Sequence, residues 1–335
     1  MADTLPLTPA RPGWQQLLAD GVRDPAELLA LLDLDPALLP AARRAAALFP
    51  LRVPRGFVAR MRPGDPDDPL LRQVLPLHAE AEDASGFVDD PVGDGGAMAG
   101  GGVLHKYQGR ALLISTGACA VHCRYCFRRQ FPYAEVNASG DGWRGALDYL
   151  AAHDDVSEVI LSGGDPLTLS DRRLADLAAA LADIPHLQRL RVHSRLPVVL
   201  PERVDAALLR WLTGTRLRPV LVLHANHARE IDDSVADAAA RLRGAGVPLL
   251  NQAVLLRGIN DHVDALADLS ERLFEVGVMP YYLHLLDRVR GAAHFEVPEA
   301  EALTLHRALA ARLPGYLLPR LAREEPGAPG KTLIL

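Results

Sequence analysis

The sequence predicts an α/β protein, a partial (β/α)6 barrel of TIM-like architecture preceded by an N-terminal helical extension. Two observations support the barrel. Beyond residue 102, six short apolar runs alternate strictly with amphipathic stretches, as expected for parallel strands joined by helices. The runs are apolar almost throughout, which is typical of strands that are covered on both faces. Six units are too few for an eight-fold barrel, so we expect the sheet to stay open.

Each strand–helix unit is a separate segment of the chain. The predicted strands cover residues 111–115, 158–162, 190–193, 219–224, 249–255 and 279–285. The predicted helices cover residues 142–153, 170–183, 201–212, 229–244, 262–276 and 298–312. The alternation is architectural only, because the units show no sequence similarity to one another.

The first hundred residues follow a different pattern. Apolar residues recur at helical spacing from 14 to 34, and Asp24 and Pro25 are suited to cap and begin a second helix. After further helical spacing, the segment GDGGAMAGGG at 93–102 is typical of a flexible linker. We therefore predict an N-terminal helical extension and linker at 1–102 and the barrel at 103–335.

Composition excludes several classes of function. The 335 residues carry 36 basic and 42 acidic side chains, and the basic ones are scattered along the chain. A nucleic-acid or anionic-membrane partner would need a clustered positive face, so we expect neither. There is no apolar run of membrane-spanning length and no secretory signal at the start, which predicts a cytoplasmic protein.

The three cysteines form one compact motif. Cys119, Cys123 and Cys126 have the spacing C-x3-C-x2-C and follow an apolar strand. Three thiolates on one loop can hold three irons of a [4Fe–4S] cluster and leave the fourth iron without a protein ligand. Structural zinc normally takes four ligands, so the alternative of a zinc site would have to recruit His122 or another histidine.

Lysine is rare in this chain. Only Lys106 and Lys331 are lysines among the 36 basic residues. An amine can lose its proton and attack a carbonyl group, whereas a guanidinium stays charged. Selective retention of lysine therefore indicates carbonyl chemistry, although an arginine-biased composition with two incidental lysines is the alternative.

Polar residues follow the predicted strands, at the point where each strand ends. Parallel α/β folds bind their ligands at this edge. We therefore predict an active-site rim there. The groups that follow the cysteine loop along the chain are 163–166, 193–195, 224–227, 257–261, and His284 with Asp287. A simple role as a helix cap stays open for Asp165.

These motifs together resemble one enzyme family. The stretch HKYQGRALLISTGACAVHCRYCFRRQFPY at 105–133 resembles radical S-adenosylmethionine (SAM) enzymes of the lysine 2,3-aminomutase family. The likeness continues through LSGGDPL, RVHSRLPVVLP, NQAVLLRGIND, VMPYYLHLLD and GAAHF. It is greatest to the bacterial branch that supplies β-lysine for the modification of elongation factor P. The N-terminal stretch LRVPRGFVARMRPGDPDDPLLRQVLP is similar as well, so the resemblance covers nearly the whole chain and implies a barrel of the radical SAM type.

The resemblance implies three cofactors: a [4Fe–4S] cluster, SAM and pyridoxal 5′-phosphate (PLP). In this family SAM binds the open iron, and one electron from the cluster releases a 5′-deoxyadenosyl radical. The radical removes a β-hydrogen from lysine held as an imine of PLP. The nitrogen then migrates from the α to the β carbon, and the hydrogen returns. A one-electron reductant is therefore an implied partner.

The resemblance also implies roles for the cofactor-binding residues of this chain. Lys331, near the C-terminus, takes the position of the lysine that holds PLP, although a solvated charge in the tail is the alternative. The matches to the family's other PLP contacts are Lys106, Tyr107 and Arg110. The matches to its SAM contacts are Gly163, Gly164, Asp165, Ser194, Arg195 and Gln252. His284 stands where some relatives have a tyrosine near the cofactor.

The implied substrate contacts are one arginine and two carboxylates. Arg128 matches the residue that holds the α-carboxylate of the substrate, which suits a bidentate cation. Asp287 matches one of two aspartates that bind the distal ammonium. The other aspartate falls at Glu324, so the chain departs from the better-known aminomutases by one methylene group. A surface role for Glu324 stays open.

We interpret the chain as an isomerase that converts L-α-lysine to (R)-β-lysine, with a functional link to the elongation factor P ligase. One alternative is an aminomutase for glutamate or another amino acid. Two acids at Asp287 and Glu324 disfavour it, because they would repel a distal carboxylate. The other alternative is a non-catalytic iron–sulfur accessory protein, which the joint presence of Lys331, Arg128 and Asp287 disfavours.

Overall fold

A computed structural model of the chain describes residues 13–133, 136 and 143–335. Short α-helices make up the N-terminal part, and longer ones alternate with strands beyond it. The α-helices are α1 (Trp14–Ala19), α2 (Pro25–Leu31), α3 (Leu39–Leu48), α4 (Arg55–Val58), α5 (Arg144–Ala152), α6 (Asp171–Ala182), α7 (Leu196–Val199), α8 (Ala206–Thr213), α9 (Asp233–Gly244), α10 (Val263–Glu275) and α11 (Glu299–Arg312). None of these helices is both long and apolar enough to cross a membrane.

One sheet organises the molecule. Its strands are β1 (Val103–Tyr107), β2 (Arg110–Thr116), β3 (Glu158–Gly163), β4 (Arg189–Ser194), β5 (Arg218–Leu223), β6 (Leu249–Val254), β7 (Met279–His284), β8 (Arg320–Arg323) and β9 (Thr332–Leu333). The spatial order equals the chain order, and β2 to β8 run parallel. Within the described ranges β1 and β9 do not pair with each other, so the barrel is open as predicted.

The six predicted strands are confirmed as β2 to β7. Their ends agree with the prediction to within one residue. The expectation of near-continuous apolar runs holds for β2, β3 and β5, but in β4 buried residues alternate with half-buried arginine and histidine, and most of β7 is half-buried. Covering helices pack on the outer face, with their apolar sides in one continuous core. All parallel strands therefore bring their carboxyl ends to a single rim.

The edges of the sheet were not predicted. β1 pairs antiparallel with β2, and β9 pairs antiparallel with β8. These strands are short or polar, and so they lack the apolar run that marks the inner strands. The antiparallel β9 matters most, because it brings Lys331, the residue before it, back to the barrel.

Two predicted helix starts are wrong. The helix predicted at 201–212 begins at Ala206, where the Asp205 side chain accepts a hydrogen bond from the backbone N–H of Leu208. The helix predicted at 229–244 begins at Asp233, after the corresponding cap by Asp232. In both cases short 3-10 turns precede the cap and continue the apolar spacing. Residue 142, the predicted start of α5, lies outside the described residues.

The N-terminal part packs directly against the barrel. Asp24 caps α2 and Pro25 begins it, as predicted. Trp14 of α1 lies against the guanidinium of Arg203, and apolar residues of both parts share one buried cluster. The division into 1–102 and 103–335 stays a prediction. Within the predicted linker at 93–102, Asp94 is only 2% exposed and is bonded to the barrel.

Candidate active site

A cavity of about 660 Å³ opens at the carboxyl ends of the parallel strands. Every residue that the sequence analysis assigns to a cofactor or to the substrate lines it, together with His193, His224 and His284. A volume of this size is typical of small-molecule sites. The fold therefore brings the predicted residues together, while their individual roles stay predictions.

The cysteine loop follows β2 and forms one wall of the cavity. Burial, followed by the negative charge of Cys126, raises the pKa of the Cys119 thiol well above its usual range. Burial and Cys123 raise the pKa of Cys126 to about 11. Free thiolates at Cys119 and Cys126 are thus unfavourable here without a compensating cation. An iron cluster supplies that positive charge, so the donor set fits a [4Fe–4S] cluster.

A single metal ion would need several ligand side chains that converge on one point. No three His, Cys, Asp or Glu side chains in the described ranges are placed to hold one ion. His122, the additional ligand in the zinc alternative, uses its Nδ1 atom in a 2.8 Å hydrogen bond with the carbonyl oxygen of Pro50. In a [4Fe–4S] cluster each thiolate binds its own iron.

The GGD turn after β3 supports the cysteine loop. A Cβ atom at Gly164 would overlap the carbonyl oxygen of Ala118, and one at Gly163 would overlap that of Thr116. Gly163 also has φ +121°, which L-residues rarely adopt. These glycines are therefore required by the close approach of the cysteine loop, and a contact with SAM stays a prediction for both.

Asp165 is held by hydrogen bonds within the protein. Its Oδ1 accepts from the backbone N–H of Leu167 and from the hydroxyl of Ser194, at 3.0 and 2.8 Å. Its Oδ2 accepts from the backbone N–H groups of Arg195 and Leu196, at 2.8 and 3.1 Å. Asp165 thus acts as the turn cap that the sequence left open, and it joins the ends of β3 and β4.

Arg195 contacts one of the three cysteines directly. Its Nη1 donates to the Sγ atom of Cys123 at 2.7 Å, and its Nη2 donates to Gln73 and to Glu230 at 3.0 Å. Glu230 is fully buried and also accepts a hydrogen bond from the side-chain amide of Gln73. This network fixes a positive charge beside one predicted cluster ligand.

Behind the cysteine loop lies a second buried ion cluster. The carboxylate of Glu80 accepts hydrogen bonds from Arg124, which stands between two cysteines of the motif, and from Arg129. The side chains of Glu80 and Arg124 are fully buried. Arg129 also donates to the carbonyl oxygen of Gly291 at 3.0 Å. These contacts tie the loop to the N-terminal part of the chain.

Another part of the cavity carries Lys331 and two carboxylates. The Nζ atom of Lys331 lies 2.9 Å from Oε2 of Glu324, whose Oε1 accepts a hydrogen bond from the Tyr107 hydroxyl. Lys331 and Tyr107 hold the pKa of Glu324 below its usual value despite its burial. Burial raises the pKa of Asp287 to about 7; Lys331 lowers it and the charge of Glu324 raises it. This arrangement fits an ammonium group between two acids.

Arg128 and Lys106 are joined by Asp94. Asp94 accepts from Nε of Arg128 at 2.7 Å through Oδ2 and contacts Nζ of Lys106 at 2.6 Å through Oδ1. The Nη1 atom of Arg128 donates to the hydroxyl of Ser162 at 3.1 Å. Burial raises the pKa of Asp94, but the two cations lower it more, so the carboxyl stays ionised.

Three half-buried histidines, His193, His224 and His284, line the cavity. Burial lowers the pKa of His193 and of His284 well below the usual value, and it lowers that of His224 to about 4. All three are therefore neutral at neutral pH. The Nε2 atoms of His193 and His224 make no hydrogen bond among the described residues, so they are available to a bound ligand.

Sequence reasoning missed Asp94, Ser162 and Glu230. Ser162 could have been found, because it is a polar residue at the carboxyl end of an apolar strand, like the residues that were predicted. Glu230 follows a predicted strand by several residues, and its burial depends on Arg195 from another unit. Asp94 had no local signal, since a glycine-rich segment is equally typical of a linker.

Comparison with known proteins identifies the class. The model of the radical SAM superfamily matches residues 113–270, which include the cysteine loop and most of the parallel strands. The chain is 52% identical to L-lysine 2,3-aminomutase of Escherichia coli (strain K12), over 97% of this chain and 95% of that protein. The barrel, the cysteine loop and these matches define a radical SAM enzyme.

Two further relatives narrow the assignment. The L-lysine 2,3-aminomutase of Haemophilus influenzae is 47% identical, over 96% of this chain and 95% of that protein. That of Clostridium subterminale is 36% identical, over 83% of this chain and 67% of that protein. The chain therefore belongs to the lysine 2,3-aminomutase family of radical SAM enzymes, and it is an isomerase of the aminomutase type.

The family's cofactors are a [4Fe–4S] cluster, SAM and PLP, and the cavity fits them chemically. The cysteine loop supplies three thiolates for the cluster. Lys331 would supply the amine that a PLP enzyme requires, and Lys106 and Arg110, which also line the cavity, would supply positive charge for a phosphate. The unbonded Nε2 atoms of His193 and His224 leave polar groups for a ligand in the same cavity.

Proposed function

We propose that this enzyme converts L-α-lysine to (R)-β-lysine in a PLP-dependent reaction in the cytoplasm. We further propose that the product is used to modify elongation factor P, with a functional link to the ligase of that pathway. The main support for lysine as the substrate is a pair of carboxylates, Asp287 and Glu324. They interact with the Nζ atom of Lys331. An aminomutase for an acidic amino acid would need a cation there instead.

The chain's own residues define how the substrate would lie. Among the described residues, Arg128 uses two of its five N–H groups, and the others would be available for a carboxylate in the cavity. Asp287 and Glu324 lie in another part of the cavity and would receive the distal ammonium. A lysine molecule held at both ends has its α and β carbons fixed between the walls, which is the positioning that the reaction requires.

When bound, the cluster and SAM supply a hydrogen-abstracting radical, and PLP supplies a carrier for the migrating nitrogen. The protein must hold these groups and keep water away. Lys331 is the residue that would anchor PLP, and Lys106, Tyr107 and Arg110 line the cavity next to it. The neutral histidines of the interior add no charge that would attract water or a second anion.

The product isomer and the link to elongation factor P are supported by the similarity of the motifs to the bacterial branch that serves this modification. The reaction also needs an electron from outside the chain, and so a one-electron reductant is a proposed partner.

The test is anaerobic turnover with SAM, a reductant and a panel of amino acids, followed by chiral analysis of the products. We expect (R)-β-lysine from lysine and no reaction with glutamate. A preference for glutamate, or β-lysine of the opposite configuration, would contradict the proposal. Addition of the purified elongation factor and its ligase tests the downstream use, since the product should become attached to the factor.

Two variants test the ammonium site. Asp287→Asn and Glu324→Gln should each raise the KM for lysine by about tenfold or more, because a hydrogen-bonded charge partner of the ammonium is lost. Glu158→Gln is the matched control, since Glu158 also lines the cavity but lies at the amino end of β3. A similar change in all three variants would argue against a specific ammonium site.

A further inference from the structure

A continuous row of charged side chains crosses the cavity. It begins at Lys331, whose Nζ contacts Glu324 at 2.9 Å, and Glu324 lies 3.8 Å from Nζ of Lys106. Lys106 contacts Asp94 at 2.6 Å, and Asp94 contacts Arg128 at 2.7 Å. The row therefore connects the wall with the proposed PLP lysine to the wall with the proposed carboxylate ligand. Asp94 is the only member from the N-terminal part.

Asp94 holds two cations with separate oxygen atoms. Oδ1 faces Lys106 and Oδ2 faces Nε of Arg128, and the Asp94 side chain is 3% exposed. The backbone around it is fixed as well, since Asp90 accepts hydrogen bonds from the N–H groups of Asp94 and Gly95, both at 2.9 Å. The carboxylate is thus buried, ionised and held in place.

The contacts determine which part of Arg128 faces the cavity. Asp94 takes the Nε side of the guanidinium, and Ser162 takes one hydrogen of Nη1. The remaining hydrogens on Nη1 and Nη2 make no hydrogen bond to the described residues. These two nitrogens form the edge that binds a carboxylate through two parallel hydrogen bonds.

We propose that Asp94 is a positioning residue that orients Arg128 for the carboxylate of the amino-acid substrate and Lys106 for the phosphate of the cofactor. The N-terminal segment thereby completes the site. This inference rests on the proposed function, because it takes Arg128 as the carboxylate ligand.

A purely electrostatic role for Asp94 predicts the opposite effect of Asp94→Asn on carboxylate binding. If Asp94 acted only through its negative charge, it would weaken anion binding at Arg128, and its neutralisation would strengthen that binding. If it acts by orientation, Asp94→Asn should weaken carboxylate binding, because the single oxygen of an amide can serve only one of the two cations. The amide NH2 group would then face the other cation.

The test compares two ligands on the holoenzyme loaded with cluster and PLP, without reductant, so that no turnover occurs. L-Lysine and 1,5-diaminopentane share the distal amine, but only lysine has a carboxylate. Binding is followed by the change in the visible absorption of PLP. Asp94→Asn should raise the Kd of lysine by about tenfold and leave that of 1,5-diaminopentane nearly unchanged, because only a charged hydrogen bond to the carboxylate is weakened.

Two further variants keep the test decisive. Ser162→Ala removes the other side chain that is hydrogen-bonded to Arg128. It should raise the Kd of lysine selectively but by less, and this can be measured even if Asp94→Asn does not fold. Asp68→Asn is the control, since Asp68 is a fully buried acid paired with an arginine, Arg229, away from the cavity. It should not change the ratio of the two Kd values.

Arg128→Lys distinguishes failure of the inference from failure of the proposed function. If Arg128→Lys weakens lysine selectively and Asp94→Asn does not, the positioning role is wrong and the proposed function stands. If Arg128→Lys leaves the ratio of the two Kd values unchanged, Arg128 is not the carboxylate ligand. Both the positioning role of Asp94 and the proposed function are then wrong. Equal weakening of both ligands by Asp94→Asn, or tighter binding of lysine, would also overturn the positioning role.

Discussion

The substitution Glu80→Gln tests how the cysteine loop is held. The Glu80 carboxylate accepts hydrogen bonds from Arg124 and Arg129, and the Glu80 and Arg124 side chains are fully buried. Glutamine keeps the size of the side chain but removes its charge. Two guanidinium groups would then remain in the interior without a counter-charge.

The expected magnitude follows from burial. Removal of one partner from a buried ion pair destabilises a protein by about 3–5 kcal/mol, because the other charge stays desolvated and unpaired. Glu301→Gln is the matched control. Glu301 also binds one arginine, Arg257, through two parallel hydrogen bonds of 2.7 and 2.6 Å, but this pair lies at the surface. Water screens it, so we expect a change close to the error of the measurement.

The assay is urea unfolding followed by circular dichroism, at matched cofactor content because bound cofactors stabilise the native state. Iron content after reconstitution provides a second measurement, since Arg124 lies within the cysteine motif. Glu80→Gln should lower both the free energy of unfolding and the bound iron. Equal effects of Glu80→Gln and Glu301→Gln on unfolding would refute the argument from burial.

Three further predictions concern the cavity. Cys123→Ala should abolish cluster binding, so retained iron at the native ratio would contradict the ligand assignment. Lysine binding should weaken as the pH falls below about 7, by up to about tenfold per pH unit, because Asp287, whose pKa is raised to about 7, becomes protonated and loses its attraction for an ammonium; Asp287→Asn should remove this dependence of Kd on pH. Gly164→Ala should cost about 1–3 kcal/mol in unfolding experiments, because its Cβ would overlap backbone atoms of the cysteine loop; Gly315→Ala, which meets no atom within 4 Å, should not.

Much of the barrel could be predicted from local patterns. Most of the inner strands are apolar runs bounded by polar residues, and this pattern can be recognised without knowledge of the neighbouring strands. The starts of α8 and α9 could not be predicted as well, because short 3-10 turns extend the apolar spacing before the true caps Asp205 and Asp232. The last two strands, β8 and β9, are defined by their pairing rather than by their composition.

The candidate site shows the same division. The cysteine spacing and the scarcity of lysine indicate the chemistry of individual residues from residue type and position in the chain. The arrangement that places Lys331 beside Glu324, with Asp287 on the same wall, depends on the return of the chain through β8 and β9. The role of Asp165 as a cap between two strands likewise depends on tertiary contacts, since Ser194 and Arg195 come from the next unit.

The alternating barrel, the thiolate motif and the family all follow from the amino-acid sequence alone, because they depend on residue types at short, fixed spacing. The place of Asp94 in the site follows only from the folded chain. Its burial and its charge state arise from Lys106 on β1 and Arg128 after the cysteine loop, which are distant in sequence and meet only when the sheet is formed. An electrostatic contact of this kind depends on distance and on exclusion of water, and neither is recorded in a local pattern.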